Sequence, residues 1–250
     1  MIYLDAPKGL GDAIYLRAVA LYFLDRAEKV TVYTRWPDVF WGLPIKVRPL
    51  AEKFSSGELR SVAYSSRMPL PEGLNQFKAR CATAGITEPV DLRIDWVVQN
   101  EVLVNSIRDM AIGRKVFIYQ PPKLSKNLEM DLLKPKSFSF ARFIAGAKSD
   151  EYFRIRMGHS QYVETNGHTN YELDLLDRLK VTDALDVCTI GDVFFGEECY
   201  LTHIAEALDR QVICMLSRRA ALSKEWVRHR TLERMFEKRH LASVVYDEAA

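Results

Sequence analysis

The sequence is short of the features that announce several large classes of protein. Its four cysteines, Cys81, Cys188, Cys199 and Cys214, are scattered and form no CxxC pair. Neither a zinc site nor a disulfide framework is therefore expected. There is no apolar run of about 18 or more residues, the length a membrane-spanning helix needs. The opening "MIYLDAP" has no basic n-region and no long apolar stretch, so no signal peptide is expected and the cytoplasm is the expected location. A net charge of +2 is too small to imply nucleic-acid binding by itself. Neither GxGxxG nor GxxxxGK[ST] occurs, which excludes the dinucleotide fingerprint and the P-loop in their usual forms.

What is present is globular. The 250 residues are 48% hydrophobic and 27% charged, enough for one large core or two small ones. "MIYLDA" (1–6) reads as a buried strand ending at Pro7, "KGLGD" as a turn, and residues 12–27 as a helix. Strands are expected at 29–34, 45–50 and 61–65. A short helix or turn is expected at 36–44, and a helix at 73–86 capped by Gly85. "VDLRIDW" (90–96) fits a strand or a linker, and 100–112 has helical spacing up to Gly113. The alternation then restarts: strand 115–122, helix 138–147, strand 152–158, helix 170–181 with Leu173, Leu176 and Leu179 on one face. A short strand region over 184–191 and 193–196, a helix at 197–209 and a strand at 211–216 follow. Residues 222–240 read as a strongly basic helix. Two α/β units in tandem are expected, 1–112 and 113–250, each with a parallel sheet.

Two stretches invite chemistry. In "PKGLGDAIYLRAVALYFL" (7–24), Gly9 and Gly11 allow close approach of a ligand or positive φ, and Asp12 stands at the start of an apolar helix. The N-terminus of that helix favours negative charge, either a bound phosphate or Asp12 itself acting as a cap. In "FFGEECYLTHIAEALDRQVICML" (194–216), a strand ends at Gly196, two acids follow, and a helix carries His203. A strand–loop–helix crevice at the carboxyl end of a parallel sheet is where open α/β folds bind ligands. A histidine on such a helix also fits a purely structural role.

Together these stretches resemble the ADP-heptose:lipopolysaccharide heptosyltransferase family, glycosyltransferase family nine. The first matches the family's GxGD turn and apolar helix. The second matches its G-N-D-T-G-x-x-H-x-A-A-A-L signature at Gly196, His203, Ala205, Ala207 and Leu208. The resemblance implies a GT-B fold, with two Rossmann-like domains facing a cleft, an acceptor domain first and a nucleotide-sugar domain second. It implies that Asp12 is the general base, that Gly9 and Gly11 form the acceptor-side loop, and that Lys136 (with Lys134 as competitor) and His203 hold the donor. Glu198, Cys199 and Tyr200 stand where the family has Asp-Thr-Gly, whose backbone cradles the donor pyrophosphate. Glu164 stands where the family contacts the nucleoside, or is a surface acid. The chain is shorter than two usual GT-B domains, as a compact, phage-type variant would be. With no DxD motif near a strand end, a metal-independent reaction is expected, with no cofactor beyond the nucleoside-diphosphate sugar. The basic segment from Arg218 to Arg239 is either a solvated helix face or a surface for an anionic acceptor, a glycolipid core or a modified DNA base. A non-catalytic nucleotide- or partner-binding module and a sugar-nucleotide epimerase are the rival readings.

Overall fold

Two parallel sheets carry the chain. The computed structural model describes residues 1–6, 9–52, 58–63, 73–122, 137–159, 170–217 and 235–247. The first sheet joins β1 (Ile2–Asp5), β2 (Val30–Thr34), β3 (Lys46–Pro49) and β4 (Leu59–Ser61) in the order β3-β2-β1-β4. The second joins β5 (Lys115–Tyr119), β6 (Tyr152–Gly158), β7 (Leu173–Leu176), β8 (Val193–Gly196), β9 (Gln211–Ser217) and β10 (Ala242–Asp247) in the order β10-β9-β8-β5-β6-β7. Every pairing is parallel. The helices are α1 (Leu10–Leu24), α2 (Gln76–Thr83), α3 (Glu101–Ala111), α4 (Ser137–Gly146), α5 (Val181–Thr189) and α6 (Tyr200–Ala207).

The order of each sheet reverses beside its first strand. Chain progress runs β1, β2, β3 to one side and then returns to β4 on the other; it runs β5, β6, β7 to one side and returns to β8 on the other. At such a switch point the loops leave in opposite directions and a crevice opens at the carboxyl ends of the strands. The Gly9–Asp12 turn follows β1, and Glu197–Cys199 follows β8. Both stretches singled out in the sequence therefore lie at a crevice.

Helix α1 is buried continuously from Ala13 to Leu21, which is why it is apolar on all sides rather than along one stripe. It lies against β1 and β2 and also against α6. One contiguous core results, with Leu4, Ile14 and Leu16 from the first half and Ile118, Leu201 and Ile204 from the second. A second cluster, built on Phe117, Tyr119, Phe140 and Phe195, fills the space between the second sheet and α4.

Residues 90–96 form no strand; they cross between the two sheets as a linker. Arg17, 1% exposed, reaches out of α1 and fastens them. Its guanidinium donates to the carbonyls of Ile94, Val39 (2.7 Å), Trp41 (3.0 Å) and Asp95 (3.1 Å). Burial pulls its pKa down to about 10, with the Asp95 carboxylate acting the other way. Asp186, fully buried on α5, accepts from the Trp96 indole (2.7 Å) and from the amides of Gln99 (3.0 Å) and Asn100 (2.7 Å).

The second half departs from the sequence reading in three places. Residues 170–181 do not form a helix: Leu173–Leu176 is strand β7. Glu172 and Asp174 alternate with Leu173 and Leu175 and pair with Arg154 (2.9 Å) and Arg156 (2.6 Å) on the neighbouring strand. That two-residue period outweighs the three-residue spacing of the leucines. Residues 184–191 are not a strand: they fall largely in α5, whose buried Ala184, Leu185 and Cys188 share one helical face. The C-terminal stretch ends in a short 3-10 turn, Arg239–Leu241, and then β10, which pairs with β9 at the sheet edge. Of the strand expected at 61–65, Ser61 ends β4 (Leu59–Ser61), Val62 and Ala63 are not strand, and residues 64 and 65 lie outside the described residues.

Candidate functional site

The site begins with the two glycines, and their role is space. Gly9 has a φ of −79°, and Gly11 is not among the residues of positive φ. A side chain at Gly9 would place its Cβ 2.9 Å from the Asp12 carboxylate; one at Gly11 would place it 2.7 Å from the His203 ring. Both positions need glycine because a side chain of this protein already fills the room.

Asp12 is the third residue of α1. Its Oδ2 accepts from the Gly9 amide at 3.2 Å, so it caps the helix. Its Oδ1 accepts from Arg80 Nη2 at 2.7 Å. Arg80, on α2, has an 8% exposed side chain, and Asp12 remains 20% exposed. The carboxylate is thus held from two sides and still open to the crevice. Arg80 also donates to the Gln76 carbonyl (3.2 Å) and lies 4.6 Å from the centre of the Tyr15 ring.

His203 arrives from the second half. Its Nδ1 stands 2.8 Å from the Tyr15 hydroxyl, and the two rings are 4.8 Å apart. At the head of α6, Cys199 is the cap residue: its amide donates to Thr202 Oγ1 (3.1 Å), whose hydroxyl donates back to the Cys199 carbonyl (2.7 Å). Tyr200 takes the first helical position, and burial raises its phenol pKa far above the usual range. Glu198 accepts from Gln76 Nε2 at 2.5 Å. The turn after β8 therefore touches α2 as well as α1.

One turn further along α6, burial pushes the Glu206 carboxyl up to about 7. Its Oε1 accepts from the Lys238 amide at 2.7 Å. A cavity of about 570 Å³ opens along the same edge of the first sheet, at the carboxyl ends of β2 and β3, with Arg35 and Arg48 beside Val47 and Leu50.

The structure brings Gly9, Gly11, Asp12, Glu198, Cys199, Tyr200 and His203 to one place. Lys136, its competitor Lys134, Glu164 and the segment 218–234 lie outside the described residues. Among the described residues no group of three or more His, Cys, Asp or Glu side chains could hold a metal ion. None of their helices is long and apolar enough to cross a membrane. All four cysteines are buried, and none is in a disulfide. Tyr15, Gln76 and Arg80 were not legible as site residues; they sit in ordinary helical sequence, and only the packing of α1, α2 and α6 unites them.

No family model matches the sequence, and no curated protein matches it. Solved structures do match. A glycosyl transferase of family 9 from Veillonella parvula superposes over 98% of this chain and 85% of its own, with a TM-score of 0.67 at 9% identity. The E. coli ADP-heptose lipopolysaccharide heptosyltransferase II superposes over 99% of this chain and 93% of its own, with a TM-score of 0.64 at 11% identity. The chain has the GT-B fold. A third GT-B structure, E. coli heptosyltransferase WaaC with ADP, covers 86% of this chain and 87% of its own, with a TM-score of 0.55 at 11% identity. The likeness is one of fold, and it spans both sheets. In GT-B terms the Asp12 turn belongs to the first sheet's crevice and the His203 helix to the second's.

Proposed function

We propose that this protein is a glycosyltransferase that moves a sugar from a nucleoside-diphosphate sugar to a hydroxyl acceptor, with Asp12 as general base. Residues 1–112 form the acceptor side and residues 113–250 the donor side. The observation that carries the reading is the meeting of the two switch-point turns. Asp12 stands at the carboxyl edge of the first sheet, while α6, which leaves the carboxyl edge of the second, packs His203 against Gly11 of the same turn. An acceptor hydroxyl in the crevice loses its proton to the open side of the Asp12 carboxylate as it attacks the anomeric carbon. Arg80 keeps that carboxylate oriented. The negative charge growing on the leaving diphosphate meets the head of α6 and the His203 ring, with Lys136 as the basic residue. No step is routed through a metal.

The experiment compares sugar transfer and nucleotide affinity in wild type and Asp12→Asn. The amide keeps an oxygen for the Gly9 amide and loses the charge facing Arg80. Turnover is expected to fall by about two to four orders of magnitude, with nucleotide affinity unchanged, because the nucleotide lies on the other side of the crevice. Near-normal turnover leaves Asp12 a helix cap. Anionic acceptors are the ones to supply, a phosphorylated glycolipid core first and modified DNA second.

One observation favours a second reading, a nucleotide- or partner-binding module without catalysis. Glu197 and Glu198 put two carboxyl groups at the head of α6, and Glu198 is tied to Gln76, where the family's Thr-Gly would leave room for phosphate. Donor binding without transfer to any acceptor supports this reading.

A further inference from the structure

The contact between Tyr15 and His203 settles where the imidazole carries its hydrogen. Tyr15 is 1% exposed. Phe77 stacks on it at 5.5 Å, and Arg80 lies over its ring at 4.6 Å. Among the described residues, His203 Nδ1 is the only polar partner of its hydroxyl. Two arrangements fit a 2.8 Å separation: the hydroxyl donates to a bare Nδ1, or a protonated Nδ1 donates to the hydroxyl oxygen. The second leaves the hydroxyl hydrogen buried with no acceptor, at a cost of about 1–3 kcal/mol. Losing that hydrogen is no escape. Burial first, then the nearby Glu206, Glu198 and Asp12 carboxyls, hold the Tyr15 phenol well above its ordinary pKa, with Arg80 alone opposing them. The hydroxyl therefore keeps its hydrogen and donates it. A neutral imidazole that accepts at Nδ1 carries its own hydrogen on Nε2.

We propose that Tyr15 is a positioning residue: it fixes His203 as a neutral imidazole with its hydrogen on Nε2, so that His203 meets the donor diphosphate as a hydrogen-bond donor and not as a cation. The part about the diphosphate rests on the glycosyltransferase reading; the proton assignment does not. The Nε2 edge of the ring faces the first turn of α1, since a Cβ at Gly11 would lie 2.7 Å from Cδ2 and 3.5 Å from Nε2. A residue on the acceptor side thus sets the proton position of a residue on the donor side.

The test uses the full chain labelled with ¹⁵N in its five histidines and a long-range ¹H–¹⁵N correlation spectrum, with the His203 signals assigned by their absence from His203→Gln. The expected pattern at pH 7 is a bare Nδ1 and a protonated Nε2. A protonated Nδ1, or two protonated nitrogens, at pH 7 overturns the proposal. In Tyr15→Phe the His203 signals should average between the two tautomers. ADP and UDP affinity should fall about threefold as the competent fraction drops. An unchanged tautomer pattern in that variant also overturns the proposal. If Tyr15→Phe does not fold, the wild-type spectrum alone decides. The expected tautomer with no binding of either nucleotide by wild type sinks the donor-site reading and leaves the positioning role standing.

Discussion

Glu206 shows how a single residue ties pH to stability. Burial pushes its carboxyl from 4.5 to about 7, while the Lys238 and Glu237 amides pull the other way and the Glu237 carboxylate adds to the rise. Between these two values the folded protein holds a proton that the unfolded chain has released. Stability therefore falls as pH rises through that window, by about 3 kcal/mol at most. Glu206→Gln keeps an oxygen for the Lys238 amide and has no charge to desolvate. Urea midpoints at pH 5 and pH 8 should differ in wild type, the lower pH being the more stable, and the gap should shrink in the variant. An equal gap in both would place the pH dependence elsewhere. The same scale shows what the candidate site revealed in advance. Asp12 and His203 were visible because an acid after a glycine turn and a histidine early in a helix stand out locally. Arg80 and Tyr15 were not, because what marks them is a partner 68 or 188 residues away in the chain.

Among the elements, those bounded by glycine and proline were legible. Strand β5 stops before Pro121, and Gly85, at a φ of 76°, follows the end of α2. Between residues 170 and 191 these markers are sparse, and two neighbouring elements exchanged their types. Leucines three apart mimic a helix, while a run of Val, Cys and Thr mimics a strand; pairing with β6 and packing against α3 decided each case. Helix α3 owes its start to another element. The Asp186 carboxylate on α5 takes the Gln99 and Asn100 amides, and the Asn100 side chain accepts from the Leu103 amide at 3.1 Å. Asp186→Ala strands those amides and the Trp96 indole without acceptors. The expected loss is about 3 kcal/mol of unfolding free energy, read from denaturant curves. A loss below about 1 kcal/mol would mean water replaces the carboxylate.

At the scale of the molecule, residues 235–238 join what the two sheets divide. Asn75, which caps α2, donates to the Phe236 carbonyl (3.4 Å) and to the Glu237 carboxylate, and Lys78 pairs with Glu237 at 3.4 Å. On the other side Lys238 meets Asp209 at 2.7 Å and Asp91 at 3.3 Å, and Phe236 is fully buried. Ending the chain at residue 234 removes this joint together with β10. It also leaves β9 as an open edge, a template for pairing with other chains. The truncated protein should express largely as aggregate, scored by soluble yield and light scattering; a soluble monomer with an unchanged melting temperature would make the joint dispensable.

That joint also sets a schedule. As the chain leaves the ribosome, β1 to β4 can pair early, and so can β5 to β9. Helix α2, however, waits for a partner some 160 residues downstream, and the second sheet is not finished until β10 emerges. Until residues 236–238 emerge, the Asn75 cap and the Glu206 carboxyl face solvent or whatever else is close by. The nascent chain is thus most exposed to proteases and to mispairing while residues 235–247 have yet to emerge.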